Sequence, residues 1–244
     1  MQLAKSGVDL VDLDAVFITH HHFDHIGGLG DLIMAAWNLG RPTPLRVYGP
    51  IGTEELVAAL LGRVFWRDVA YRIAEGHALG ETRHPPTTMV EVRDMMAGSI
   101  DLGAGVNVLV GDTEHGSEAL QLQATEWATV GFRVSDSDHS VTVTGDVIPG
   151  RQLQRLAADA DLLVMCAYLS ATEIDTAEAR FLVKNIIAGA PQAADFARSV
   201  NARRLALTHI RRKSAESLEA MRLEASAVFS GEVILGRDLS SIDL

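Results

Sequence analysis

The chain has 244 residues, of which 48% are hydrophobic and 22% charged, so it can bury one sizeable core. We expect a single domain over residues 1–244. The formal net charge of -11 argues against broad nonspecific binding to nucleic acid. A single cysteine excludes an internal disulfide, and no apolar stretch approaches the roughly 18–20 residues that span a bilayer, so we expect a cytoplasmic protein with no membrane partner.

The first third of the chain alternates strands with helices. Apolar runs that end at Gly, Pro or polar clusters predict strands, and stretches of helical period predict helices. Thr53 is placed as the N-cap of the second helix. In chain order, the predicted elements are a strand over Val16–Thr19, a helix over Gly30–Asn38, a strand over Leu45–Tyr48, a helix from Thr53 toward Ile73 and a loop over His77–Pro86.

The pattern then changes to consecutive strands and later returns to alternation. Five strands are predicted over Met89–Met95, Gly105–Val110, Ala119–Ala124, Val130–Ser135 and Ser140–Thr144. Helices are predicted over Gln152–Ala158, Pro191–Val200 and Ala215–Ala225, and strands over Leu162–Ala167, Leu205–Thr208 and Val233–Leu235. Strands that first pair in a meander and are then joined by helices predict sheets enclosed by helical layers.

The most informative stretch, HHHFDH, lies directly after the first predicted strand. It presents His20, His22, Asp24 and His25 in the pattern H-x-H-x-D-H. Imidazole nitrogen and carboxylate oxygen suit zinc, with iron or manganese as second choices. On an extended segment His20 and His22 point the same way and can reach one ion, whereas Asp24 and His25 lie past the bend and can reach a second. His21 faces away from the ligands, so we expect it to pack behind them.

Three further candidate ligands each follow a predicted strand. His115 follows Gly105–Val110, Asp146 follows Ser140–Thr144, and His209 follows Leu205–Thr208. Side chains at strand ends can converge on one edge of a sheet. One such residue would be a weak signal, but the repeated placement downstream of HHHFDH strengthens all three.

These blocks, in this order, resemble the signature of the metallo-β-lactamase superfamily. The matching residues are His20-x-His22-x-Asp24-His25, His115, Thr144-Gly145-Asp146 and Thr208-His209. The chain is most similar to the branch that contains ribonuclease Z and arylsulfatase-type hydrolases. The resemblance implies an α/β fold, an αβ/βα four-layer sandwich. Family members generally carry one or two strands before the histidine cluster, so we expect an N-terminally shortened version.

The resemblance also implies two Zn²⁺ ions, with iron or manganese as alternatives. His20, His22 and His115 would hold one ion, Asp24, His25 and His209 the other, and Asp146 would bridge both. The implied enzyme is a metal-dependent hydrolase that uses a metal-bridging hydroxide. Asp24 and Asp146 are the expected catalytic carboxylates. Asp24 would orient the hydroxide or accept its proton, and Asp146 would hold the two cations together.

Two departures from the ribonuclease Z pattern favour a small-molecule substrate. Cys166-Ala167-Tyr168 stands where those enzymes usually carry a His-Glu-Ala motif, and the chain has no Gly/Pro-rich basic arm. We therefore expect an ester, lactone, sulfate ester or activated aryl substrate, with nucleic acid an unlikely partner. Two alternatives stay open: a ribonuclease Z-like phosphodiesterase or nuclease, and a metal-binding but catalytically silent scaffold subunit. At the family level a homodimer is expected.

Three other features have more than one interpretation. Cys166 is better interpreted as a small core residue than as a nucleophile. Tyr168 is either a substrate contact or a packed side chain. The run Arg211-Arg212-Lys213, directly after His209, either steers an anionic substrate or forms a solvated turn.

Overall fold

The computed structural model describes residues 3–244, which divide into two compact units. The first unit ends at Met95 and the second runs from Met96 to Leu244. Each unit is built around its own β-sheet.

The first unit contains a three-stranded parallel sheet in the order β1-β2-β3. Its strands are β1 (Ala15–Phe17), β2 (Leu45–Gly49) and β3 (Val90–Asp94). Its helices are α1 (Phe23–Ile26), α2 (Leu29–Asn38), α3 (Thr53–Ala59) and α4 (Trp66–Ala78), with a π-helical turn at Leu60–Val64 and 3-10 turns at Leu3–Lys5 and Pro86–Thr88. The buried core includes Leu45 and Val47 on β2, Ile33 on α2 and Val57 on α3. Burying these apolar side chains holds helices and sheet together.

The second unit contains a seven-stranded mixed sheet in the order β10-β9-β8-β7-β6-β5-β4. Its strands are β4 (Gly98–Gly103), β5 (Val106–Asp112), β6 (Val130–Ser135), β7 (Ser140–Val143), β8 (Leu162–Cys166), β9 (Arg204–Thr208) and β10 (Glu232–Leu235). Its helices are α5 (Ser117–Leu120), α6 (Arg151–Ala157), α7 (Ala177–Asn185), α8 (Ala190–Ser199) and α9 (Ala215–Val228), with a 3-10 turn at Ala171–Glu173. Strands β4 to β7 pair antiparallel, and β7 to β10 pair parallel.

The parallel half of this sheet is the best-packed part of the second unit. Leu163 and Met165 on β8 and Leu205 and Leu207 on β9 are fully buried in one core cluster with residues of α6, α8 and α9. Alternate residues of a strand share a face, which explains this spacing. Because β7, β8 and β9 are parallel, their carboxyl ends meet at one edge, and the well-packed core makes that edge a rigid platform.

Most predicted elements are present, within one to three residues at their ends. The prediction of a strand over Ala119–Ala124 is wrong. That stretch contains the end of α5 and a turn in which Gln121 has a φ of 58°, which is incompatible with a strand. Strand β4 and helix α7 were also not predicted from the sequence. β4 has a single buried residue, Ile100, so its apolar alternation is too weak to detect.

The capping role predicted for Thr53 is wrong in detail. Gly52 is the N-cap residue of α3, and the Thr53 hydroxyl donates instead to the carbonyl of Pro50 at 2.7 Å. The cap comes from the end of β3, where the Asp94 carboxylate accepts hydrogen bonds from the backbone N–H of Gly52 (2.7 Å) and of Glu54 (2.8 Å). A carboxylate at this position satisfies two otherwise unpaired helix N–H groups.

Among residues 3–244, no helix combines the length and the apolar character that a bilayer crossing requires.

Replacing Asp94 with alanine should loosen the start of α3. We expect the loss of about 1 kcal/mol of local stability that a lost N-terminal cap typically costs, and hence roughly fivefold faster amide exchange around Gly52 and Glu54. Hydrogen exchange with mass spectrometry measures this directly. Asp101→Ala is the matched control, because that carboxylate accepts from the Gly103 N–H within its own turn and caps no helix among residues 3–244. Equal exchange in the two variants would contradict the capping role.

Candidate metal centre

The four candidate ligands of the first unit lie where a strand passes into a short helix. His20 and His22 belong to an extended stretch after β1, and His22 is the N-cap residue of α1 with φ -61° and ψ 144°. The carbonyl of His22 accepts hydrogen bonds from the N–H of His25 (2.9 Å) and of Ile26 (3.2 Å). The chain therefore bends at His22, as predicted, and Asp24 and His25 occupy the first turn of α1.

The side chains in this stretch face one another at short range. His20 Nε2 lies 3.1 Å from His22 Nδ1, and the ring centroids of His20 and His25 are 4.0 Å apart. His25 Nε2 lies 3.6 Å from a carboxylate oxygen of Asp24. His20 is completely buried, whereas the side chain of Asp24 is 45% exposed. One end of the cluster is therefore enclosed and the other is open to solvent.

His21 turns away from this cluster, as predicted. Its Nε2 donates to Thr53 Oγ1 at 2.8 Å, since that hydroxyl already donates to Pro50. Burial lowers the pKa of His21, and the nearby Asp94 opposes that shift only in part. His21 is therefore a neutral, packed side chain that anchors the extended stretch to α3.

Each candidate ligand of the second unit depends on an unusual backbone conformation. His115 is followed by Gly116 at φ 87°, Asp146 is preceded by Gly145 at φ 67°, and His209 itself has φ 50°. A β-carbon at Gly116 would lie 2.9 Å from Ile186 Cδ1, so only glycine fits there without a shift. A positive φ at a histidine is uncommon, and such strain concentrates at functional sites.

These conformations bring the three side chains together at the carboxyl edge of the sheet. A carboxylate oxygen of Asp146 lies 3.3 Å from His209 Nε2 and 4.0 Å from His115 Nε2. Asp146 is only 4% exposed and His115 only 5%. The second unit thus presents two imidazoles around one buried carboxylate, as the sequence predicted.

Hydrogen bonds from the surrounding chain fix the orientation of His115. Its Nδ1 lies 2.6 Å from the backbone carbonyl of Ile186, an acceptor, so Nδ1 carries the proton and the lone pair is on Nε2. This tautomer leaves Nε2 able to bind a metal, and a carbonyl partner on the other nitrogen is typical of metal-binding histidines. The indole of Trp127 donates to the carbonyl of His115 at 3.0 Å. No sequence pattern predicts either of these hydrogen-bond partners.

The spacing of these atoms fits zinc. A tetrahedral zinc ion with bonds of about 2.0–2.1 Å holds its ligand atoms roughly 3.3 Å apart. Three of the measured separations lie close to that value: 3.1 Å for His20 and His22, 3.6 Å for Asp24 and His25, and 3.3 Å for Asp146 and His209. Each unit therefore carries a nitrogen-rich set of donors at metal-binding distances.

Cys166, at the end of β8, is a core residue, as predicted. It is 1% exposed, its Sγ lies 3.4 Å from the carbonyl of Val147, and burial raises the pKa of the thiol to about 12. Tyr168 is half-buried, and its ring centroid lies 6.1 Å from that of His209. Tyr168, for which the sequence allows either a substrate contact or a packed side chain, therefore lies next to a candidate ligand.

Comparison with known proteins connects this arrangement to one family. The sequence profile of the β-lactamase superfamily domain matches residues 2–210. Ribonuclease Z of Mycobacterium sp. (strain KMS) is 34% identical over 248 residues, covering 100% of this chain and 82% of the relative. Ribonuclease Z of Mycobacterium bovis is also 34% identical, covering 99% and 83%.

Solved structures give the same fold. The metallo-β-lactamase fold protein YhfI from Bacillus subtilis superimposes with a TM-score of 0.66 at 22% identity, covering 96% of this chain and 79% of that one. The short form of human tRNase Z superimposes with a TM-score of 0.65 at 21% identity, covering 99% and 83%. The predicted α/β metallo-β-lactamase fold is confirmed.

The expectation of a small-molecule ester, lactone, sulfate ester or aryl substrate is wrong, and so is the expectation that nucleic acid is an unlikely partner. Relatives that match along the whole chain are ribonucleases Z, enzymes of RNA. The error came from the missing His-Glu-Ala motif, the absent arm and the negative net charge. Net charge averages over the entire surface and does not describe the local field at a cleft.

The thiol of Cys166 should be inert in the folded protein. At about pH 8 an ordinary thiol, with a pKa near 8.5, reacts readily with Ellman's reagent. We expect no reaction in the native state and one thiol per chain after unfolding in guanidinium chloride, because burial keeps Cys166 protonated. Rapid labelling of the native protein would show that Cys166 is accessible and that the packing around β8 is different.

Proposed function

The chain belongs to the metallo-β-lactamase superfamily, in its ribonuclease Z branch, and is a metal-dependent hydrolase; on that premise we propose that it cleaves phosphodiester bonds of RNA. The observation that carries the proposal is 34% identity to ribonucleases Z over the whole chain, in a protein whose two units each hold a cluster of candidate metal ligands. A cytoplasmic location and a homodimer stay predictions.

We propose further that the two units form one functional domain with one dinuclear zinc centre. The family profile supports this, because its match over residues 2–210 runs through the boundary at Met95. In this assignment His20, His22 and His115 would hold one ion, Asp24, His25 and His209 would hold the other, and Asp146 would contribute to both. The donor set, five imidazoles and two carboxylates, suits zinc better than the harder cations.

The chain's own residues prepare the site for hydrolysis. Bound zinc supplies Lewis acidity and brings the pKa of a coordinated water toward neutrality. The carbonyl of Ile186 keeps His115 in the metal-binding tautomer, and the buried charge of Asp146 offsets the positive charge of the ions. Asp24, with its half-exposed carboxylate, is positioned to orient the attacking water and accept its proton. An RNA phosphodiester is the electrophile.

Replacing Asp146 with asparagine should remove metal and activity together. The variant loses the negative charge that balances two cations, so we expect zinc content to fall well below that of the wild type and turnover to fall by more than about 100-fold. Inductively coupled plasma mass spectrometry and an RNA cleavage assay measure the two effects. Asp138→Asn, in the exposed turn between β6 and β7, is the matched control and should change neither. Full zinc loading with full turnover in Asp146→Asn would refute the ligand assignment.

The zinc-loaded wild type should cleave a precursor tRNA and the generic phosphodiester bis-p-nitrophenyl phosphate. We expect turnover of both to be lost after chelation and restored by added zinc, because the attacking water depends on the metal. A panel of aryl esters, lactones and aryl sulfates, assayed with the same protein, is the comparison. Turnover of one of those compounds without any phosphodiester cleavage would contradict the proposed function.

A further inference from the structure

The second unit contains a cavity beside the candidate ligand His209. An open cavity of about 600 Å³ is formed by the segment that follows β8, the first turns of α7 and Arg211. This volume lies within the range of sites that bind small organic groups. The metal-ligand set accounts for none of its lining residues.

The cavity adjoins the candidate metal centre through Tyr168. Tyr168 lines the cavity and also packs against the ring of His209, with the ring centroids 6.1 Å apart. The backbone N–H of Arg211 donates to the carbonyl of Tyr168 at 3.2 Å, which joins the segment after β9 to the cavity wall. A group bound here would therefore be a direct neighbour of a substrate phosphate held at the metals.

The charges in the cavity wall indicate what kind of group it takes. Glu173 forms an ion pair with Lys213, whose side chain is only 2% exposed, so this carboxylate is already neutralised. Although burial opposes ionisation, the hydrogen bonds from Lys213 and Ser170 hold the pKa of Glu173 below its usual value. The other charged lining residues are Asp175, Glu178 and Arg211, and the Arg180 guanidinium, outside the lining, donates to the backbone carbonyl of Asp175. A net negative wall disfavours a second phosphate and favours a neutral group that donates hydrogen bonds.

We propose that this cavity binds the nucleobase of the nucleotide next to the scissile phosphate. Tyr168 supplies an aromatic face for stacking, and stacking on an aromatic side chain is a general way of holding unpaired bases. The carboxylates of Asp175 and Glu178 accept hydrogen bonds from exocyclic amino groups, so adenine, cytosine and guanine bind better than uracil, which has none. This inference rests on the proposed cleavage of RNA, since it assigns the cavity to part of that substrate.

Isothermal titration calorimetry on the zinc-loaded full chain tests the proposal without using turnover. The probes are AMP, UMP and ribose 5-phosphate, which shares their phosphate and sugar but has no base. We expect AMP to bind about tenfold more tightly than ribose 5-phosphate, and more tightly than UMP. Tyr168→Ala should abolish the advantage of AMP over ribose 5-phosphate, whereas Tyr168→Phe should keep it.

Asp175→Asn, at an exposed position, should reduce the preference for AMP over UMP. Glu216→Gln on α9, an exposed carboxylate that is not one of the lining residues, is the control and should leave all three affinities unchanged. Equal binding of AMP and ribose 5-phosphate by the wild type would overturn the proposal that the cavity binds a nucleobase, even if the protein cleaves RNA. Base-dependent binding by a protein that cleaves no RNA supports the pocket and overturns the proposed function.

Discussion

One buried carboxylate lies at the centre of the candidate metal site. Asp146 lies almost entirely out of water, with imidazole nitrogens of His115 and His209 on either side. Burying a charge is costly unless it is paired or coordinates a metal. The hydrogen bond from His115 to the Ile186 carbonyl leaves the lone pair of that imidazole on Nε2, the nitrogen nearest Asp146. A cation bound at this position would stabilise both electron-rich atoms.

The fold meets the requirement through backbone positions that few residues tolerate. Left-handed conformations at Gly116, Gly145 and His209 aim the three side chains at one edge of the seven-stranded sheet. The packed core under β8 and β9 supports them, because a close-packed core resists small displacements of the strand ends. The first unit uses a simpler device, a bend at His22 between an extended stretch and a short helix. In the second unit, a left-handed backbone conformation therefore lies at or directly beside each candidate ligand.

Much of this could be predicted from the sequence, because the relevant signals are local. The stretch HHHFDH contains residue types that bind metals, and His115, Asp146 and His209 each follow a predicted strand. The candidate ligands and the fold class can therefore be predicted from short stretches of sequence. The Asp94 cap, the Ile186 carbonyl and the Trp127 indole could not be predicted, since each joins positions distant in the chain. Two further features were not predicted, for a different reason. Strand β4 has only one buried residue to mark it, and the turn at Gln121 depends on a positive φ value. The predicted substrate class was wrong in part because it relied on the net charge of the whole chain. Net charge does not describe the local electrostatic field at one cleft.

The most direct measurement is an anomalous difference map at the zinc edge from crystals of the zinc-loaded protein. The proposed ligand assignment predicts two peaks per chain, both within bonding distance of the Asp146 carboxylate. A single peak, or peaks away from Asp146, would contradict the proposal that this buried carboxylate organises a dinuclear centre.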